Sequence, residues 1–105
     1  MIDKYKQVIS YYGVFNQVRK LNEECFELTE AIIKYEEAKN NHFENYDDDD
    51  KKQALKNIVE EIGDVLNVVK QFIPYYNIDV NDVTESQEKK MDRQLERMKW
   101  EDTDF

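Results

Sequence analysis

The chain of 105 residues contains two glycines, one proline and one cysteine. Scarce glycine and proline means few tight turns, because those residues supply the backbone angles that hairpins require. A many-stranded sheet is therefore disfavoured, and long helices joined by few loops are favoured. The lone Cys25 excludes an internal disulfide framework and suits a reducing compartment. No apolar run approaches the ~20 residues of a membrane-crossing helix. The first residues, MIDKYKQ, lack the apolar centre of a secretory signal. The expectation is a cytoplasmic protein with no membrane partner. Basic residues are also in deficit, 15 Lys and Arg against 24 Asp and Glu, for a net charge of −9. That field repels nucleic acid unless bases cluster or cations intervene, so no nucleic-acid partner is expected.

What is present is a globular composition, 40 % hydrophobic. The length suits one domain, and a chain of this size buries roughly two thirds of its unfolded surface. Ile2, Tyr5, Val8, Ile9 and Tyr12 have helical spacing, and Gly13 marks a break after them. From there Val14, Val18, Leu21, Cys25, Leu28, Ile32 and Tyr35 step by four and three without a miss. This predicts a helix seam running to about Asn40. Residues 40–51, NNHFENYDDDDK, read as an acidic loop, with Asp49 or Asp50 as a helix cap. Leu55, Ile58, Val59, Ile62, Val65, Leu66, Val69, Phe72 and Ile73 then mark a further helix, which Pro74 should end or kink. Asp79 can cap a last helix over about 80–100, with a tail frayed from 101 to 105. The fold class expected is all-α: a bundle of three long helices plus a short N-terminal one, in a single domain over 1–105. The thirteen Phe, Tyr and Trp exceed what such a bundle buries alone, so oligomerisation should complete it.

Two acidic stretches interrupt this pattern, EECFE at 23–27 and EEIGD at 60–64. Glu24 and Glu27 are i, i+3, as are Glu61 and Asp64, so each pair projects from one helix face with Cβ atoms roughly 5–6 Å apart. Both pairs lie beside an apolar seam. If the two helices are antiparallel neighbours, the pairs approach each other. Acids beside a seam are ordinarily solvated flanks or partners of a nearby base, as Glu30 is of Lys34. These four, however, have no base three or four residues toward the C-terminus. Four close carboxylates repel unless a cation joins them, and Mg²⁺ takes carboxylates, waters and phosphates as ligands. His42 and Cys25 are single and distant in sequence, which disfavours zinc.

EECFE followed by EEIGD resembles the EExxE…ExxD signature of the MazG-like all-α nucleoside triphosphate pyrophosphohydrolases. YGVFNQVRKLNEECFELTEAI is similar to that family's first long helix, EEIGDVLNVVKQFIPYYNID to its second acidic helix, and KKMDRQLER to the basic stretch of its last. The resemblance spans about residues 12–98. It implies a homodimer or homotetramer that cleaves (d)NTP to (d)NMP and pyrophosphate with Mg²⁺, with Mn²⁺ as a substitute. It further implies Glu24, Glu27, Glu61 and Asp64 as metal ligands. Glu23 and Glu24 would act in catalysis, Glu23 orienting or activating water, and Lys90 and Arg93 would meet phosphate. The gap of 33 residues between the two acidic halves (28–60) is longer than the family pattern. That puts lid and substrate choice in question more than the ligands.

Gln17 and Lys20 precede the first acidic motif by one or two turns and are candidates to line a substrate pocket, although a solvated face is the simpler reading of Lys20. Tyr12 or Phe15 could stack on a base, with core packing the simpler reading. Gly63 inside the helix admits close helix contact beside the acids, or is simply tolerated there at about 1 kcal/mol relative to Ala. The alternative function is a non-catalytic acidic bundle, a regulator or a nucleic-acid mimic. A mimic spreads its charge over exposed surface, whereas an enzyme gathers acids at a cleft.

Overall fold

The computed structural model describes residues 3–40 and 48–103. Among the described residues four helices follow one another: α1 (Lys4–Tyr12), α2 (Val14–Asn40), α3 (Asp48–Tyr75) and α4 (Val80–Thr103). No strand occurs among the described residues, so the fold is all-α. The chain divides into two compact units, Met1–Tyr75 and Tyr76–Phe105.

In the first unit α1 starts where Asp3 caps it, its carboxylate accepting from the Tyr5 amide at 2.7 Å and the Lys6 amide at 3.4 Å. The helix ends at Gly13, whose φ of 91° is open to glycine and strained for other residues. Gly13 closes one helix and opens the next: its N–H donates to Ile9 O at 2.8 Å, and its carbonyl accepts from Gln17 N at 3.1 Å. α1 packs chiefly on α3 and less on α2. Its anchor is Ile9, fully buried, a burial that stabilises by about 1.5–3 kcal/mol.

The main pairing is α2 against α3. Gln17 meets Gln71 at the N-terminal end of α2, and Glu24 meets Glu61 further along, so the two helices are antiparallel. The buried and half-buried positions of α2 are Val14, Gln17, Leu21, Glu24, Leu28, Ala31, Tyr35 and Ala38. Those of α3 include Ala54, Ile58, Glu61, Val65, Val68 and Phe72. Both series alternate steps of three and four, which is the seam of a coiled-coil-like contact.

This seam differs from the one expected. Val14, Leu21, Leu28 and Tyr35 are on it, but Val18, Cys25 and Ile32 are exposed. Gln17, Glu24 and Ala31 take those places. On α3, Leu55, Val59, Ile62, Leu66 and Val69 form a second apolar stripe that remains exposed. The two stripes on each helix are adjacent, and the seam that closes is the one carrying the polar residues.

The helix ends also refine the reading. α3 begins at Asp48, so Asp48, Asp49 and Asp50 form its first turn rather than part of a loop or a cap. Negative charge is favoured there by the helix dipole. The rest of the expected acidic loop, 41–47 with His42, lies outside the described residues. α3 passes through Pro74 and ends one residue later, and Asn77 then adopts a left-handed φ of 55°. In the second unit Asp79 caps α4 as expected, its Oδ1 accepting from Asn81 N at 2.9 Å. α4 continues to Thr103, and residues 104–105 lie outside the described residues. Apart from the half-buried Val83, its apolar residues Met91, Leu95, Met98 and Trp100 are exposed.

Candidate metal centre and cleft

Glu24, Glu61 and Asp64 converge where the seam of α2 crosses that of α3. One carboxylate oxygen from each lies within 4.8 Å of the others. The acids do not merely flank the seam: Glu24 and Glu61 occupy it. Glu24 is 5 % exposed, Glu61 is half-buried and Asp64 is exposed. Oε2 of Glu24 and Oε2 of Glu61 are buried and find no hydrogen-bond partner among the described residues. Stranding a charged oxygen in this way is costly unless a cation or proton accompanies it.

Electrostatics reports the same crowding. The Glu61 carboxyl is raised above its ordinary pKa, first by burial, then by the charges of Glu27, Asp64 and Glu24, and by a hydrogen bond with Glu27. Glu27 thus stands against the cluster without belonging to the triplet of converging oxygens. Lys20 is not a bystander on a solvated face. Its Nζ lies 3.0 Å from Glu24 Oε1, and its ammonium is raised by the hydrogen bond to Glu24, Glu24's charge, and the charges of Glu23 and Glu27, against a lowering by burial. Glu24 has no base one turn toward the C-terminus; its partner Lys20 lies one turn toward the N-terminus.

A cleft of about 520 Å³ opens beside the acids, walled by α1, the first half of α2 and the second half of α3. Glu23, Glu24 and Asp64 line one part, with Lys20 next to them. Two turns away, about 10 Å along the helix, Gln17 and Gln71 line the other. Gln17 Nε2 donates to Gln71 Oε1 at 2.9 Å, and both residues are buried. Gln71, Asn67, Asn16 and Arg19 also line the cleft, and none of them carries a motif in the sequence. Gln71 could have been found as a polar residue seven positions, two helical turns, after Asp64 on the same helix face. Tyr12 lines the cleft and is half-exposed, and Phe15 is 79 % exposed, so core packing is not the role of either. A Cβ on Gly63 would meet nothing within 4 Å outside its own helix backbone among the described residues, so no neighbouring helix closes on it there. Lys90 and Arg93 lie in the second unit, exposed and one turn apart on α4.

The donor set is oxygen alone, with three acids in reach and two orphaned buried oxygens. Such a set fits a hard divalent cation, and no His or Cys ligand that zinc prefers is among them. No helix among the described residues is long and apolar enough to cross a membrane. No curated protein and no solved structure matches this chain. The family model of the MazG nucleotide pyrophosphohydrolase domain matches residues 16–98, a stretch that holds every acid of the cluster, the α2 and α3 residues of the cleft, and Lys90 and Arg93. With most of its length matched, and with paired acids on antiparallel helices beside a cleft, the chain belongs to the MazG nucleotide pyrophosphohydrolase family.

Proposed function

We propose that the chain is a Mg²⁺-dependent nucleoside triphosphate pyrophosphohydrolase that converts (d)NTP to (d)NMP and pyrophosphate in cytoplasmic nucleotide-pool housekeeping. The observation that carries this reading is the convergence of three carboxylate oxygens within 4.8 Å, two of the residues having a buried orphan oxygen, beside a cleft in a MazG-family chain.

Glu24, Glu61 and Asp64 would hold the cation, with Glu27, one turn from Glu24 on the same helix face, as a further ligand. Mg²⁺ bound by these residues, or Mn²⁺ in its place, would supply neutralisation of the carboxylate charge, polarisation of phosphoryl oxygen and a lowered pKa of water. Glu23 lines the cleft beside Glu24 and accepts the proton of the attacking water. The α–β anhydride opens, and its electron pair leaves on pyrophosphate. Lys20 holds Glu24 in place and presents positive charge toward the cleft. Gln17 contacts the part of the substrate farther from the acids. Lys90 and Arg93 neutralise phosphate charge. The exposed stripe of Leu55, Val59, Ile62, Leu66 and Val69, with Val18 and Ile32, is covered in a homodimer or homotetramer.

A panel of NTPs and dNTPs with Mg²⁺, read by pyrophosphate release, tests the reading. Absence of turnover with either Mg²⁺ or Mn²⁺ would favour the non-catalytic acidic bundle. That alternative has less support, because a mimic needs its acids exposed and Glu24 is buried.

A further inference from the structure

Resting on the reading of the cleft as a nucleotide pocket, we propose that the Gln17–Gln71 amide pair locks the donor–acceptor order of its wall and so discriminates amino from keto nucleobases. The lock follows from which atoms can donate. The backbone carbonyl of Asn67 only accepts, so the Gln71 atom 3.1 Å from it must be Nε2. This turns Gln71 Oε1 toward Gln17. That oxygen also only accepts, so the Gln17 atom 2.9 Å away must be Nε2. Neither amide can turn over without setting oxygen against oxygen or nitrogen against nitrogen. Gln17 is 6 % and Gln71 5 % exposed, so a flipped amide would strand polar atoms away from solvent, which is costly.

The bond to Gln71 uses one N–H of Gln17. Its carbonyl oxygen and second N–H are left, in fixed order, on a side chain that lines the cleft. A free glutamine amide rotates and serves either order; this one does not. Cytosine and adenine present an exocyclic donor beside a ring acceptor, whereas uracil and hypoxanthine present an exocyclic acceptor beside a ring donor. A locked amide pairs with one of these edges and meets the other with like facing like. Gln17 stands two turns from Glu24 on the same seam, about 10 Å away, so a base at the amide and phosphates at the acids fit one extended nucleotide. Val8, Val68 and Tyr12 also line the cleft and give a base apolar and aromatic surface. In this arrangement Gln17 determines specificity and Gln71 is a positioning residue.

The test is the ratio of kcat/KM within an amino/keto pair, dCTP with dUTP or dATP with dITP, whichever pair is turned over faster. Each ratio is taken on a single preparation, so partial unfolding of a variant cancels. The unaltered chain should prefer one member by on the order of 10- to 100-fold, the discrimination of one good bidentate pair. Gln71→Met frees the Gln17 amide to turn and should shrink the ratio by about tenfold, with the poorer substrate gaining relative to the better one. A merely structural defect does not produce that gain. Gln17→Met, which removes the reading group, should also bring the ratio toward one. Equal kcat/KM in the unaltered chain, or a ratio that neither variant changes, overturns the lock and leaves the hydrolase reading intact. Absence of pyrophosphate from every nucleotide overturns both.

Discussion

Glu24→Gln keeps the shape of the side chain and removes one negative charge from the centre of the cluster. Without metal, the change trades two opposing effects. It weakens the ion pair with Lys20, in which the Lys20 side chain is 51 % and the Glu24 side chain 7 % exposed, so solvent at the ammonium screens part of the attraction that is lost. It also relieves the repulsion between Glu24 and the oxygens of Glu61 and Asp64, all within 4.8 Å. The metal-free variant should therefore melt at or slightly above the temperature of the unaltered chain. With metal the order should reverse. A cation at a hundredfold excess over its Kd stabilises the folded chain by about 2.7 kcal/mol. A small domain shifts its Tm by about 4–8 °C per kcal/mol, so the unaltered chain should gain roughly 10–20 °C. Glu24→Gln loses a buried ligand and should keep only a small part of that gain. The assay is thermal melting at fixed protein concentration, with Mg²⁺ or Mn²⁺ titrated after chelation. A metal-independent Tm in the unaltered chain, or equal metal-induced shifts in both proteins, would refute the assignment of Glu24 as a ligand whatever the activity assay shows.

Glu61→Gln carries a pH signature. Glu61 has a folded pKa raised above 4.5, so its contribution to stability is complete below that value and is lost as pH rises through the folded pKa. The metal-free variant should thus gain on the unaltered chain as pH rises from about 4.5 to neutrality, and melting curves in which the difference does not change with pH would contradict the crowding. Gly63→Ala should stabilise the protein by about 1 kcal/mol, the helix-interior cost of glycine, because a Cβ there meets nothing within 4 Å; denaturant titration showing a loss would place another surface over that position. Leu66→Lys puts a charge on the open α3 stripe. Light scattering should show a multiple of 12.7 kDa for the unaltered chain and 12.7 kDa for the variant, and a unaltered chain already at 12.7 kDa removes the oligomer.

Much of this protein is local and therefore readable from the chain. Helix pitch alone sets Glu24 with Glu27, and Glu61 with Asp64, on shared faces, whatever the rest of the fold does. The capping by Asp79 and the break at Gly13 are equally local, arising from side-chain acceptors and backbone freedom within a few residues. The family signature rests on the same short-range spacing. Only the tertiary structure decided which of two neighbouring stripes turns inward. On α3 the series from Ala54 and the series from Leu55 have the same period and differ by one residue, about 100° around the helix. Apolar content favours the second, yet the first closes against α2 with Glu24, Glu61, Gln17 and Gln71 in its seam. Periodicity gives the faces of one helix but not their phase against another. That phase depends on the matching of two helices and on what covers the stripe left open. The bond between Gln17 and Gln71, 54 positions apart, exists only once that phase is set.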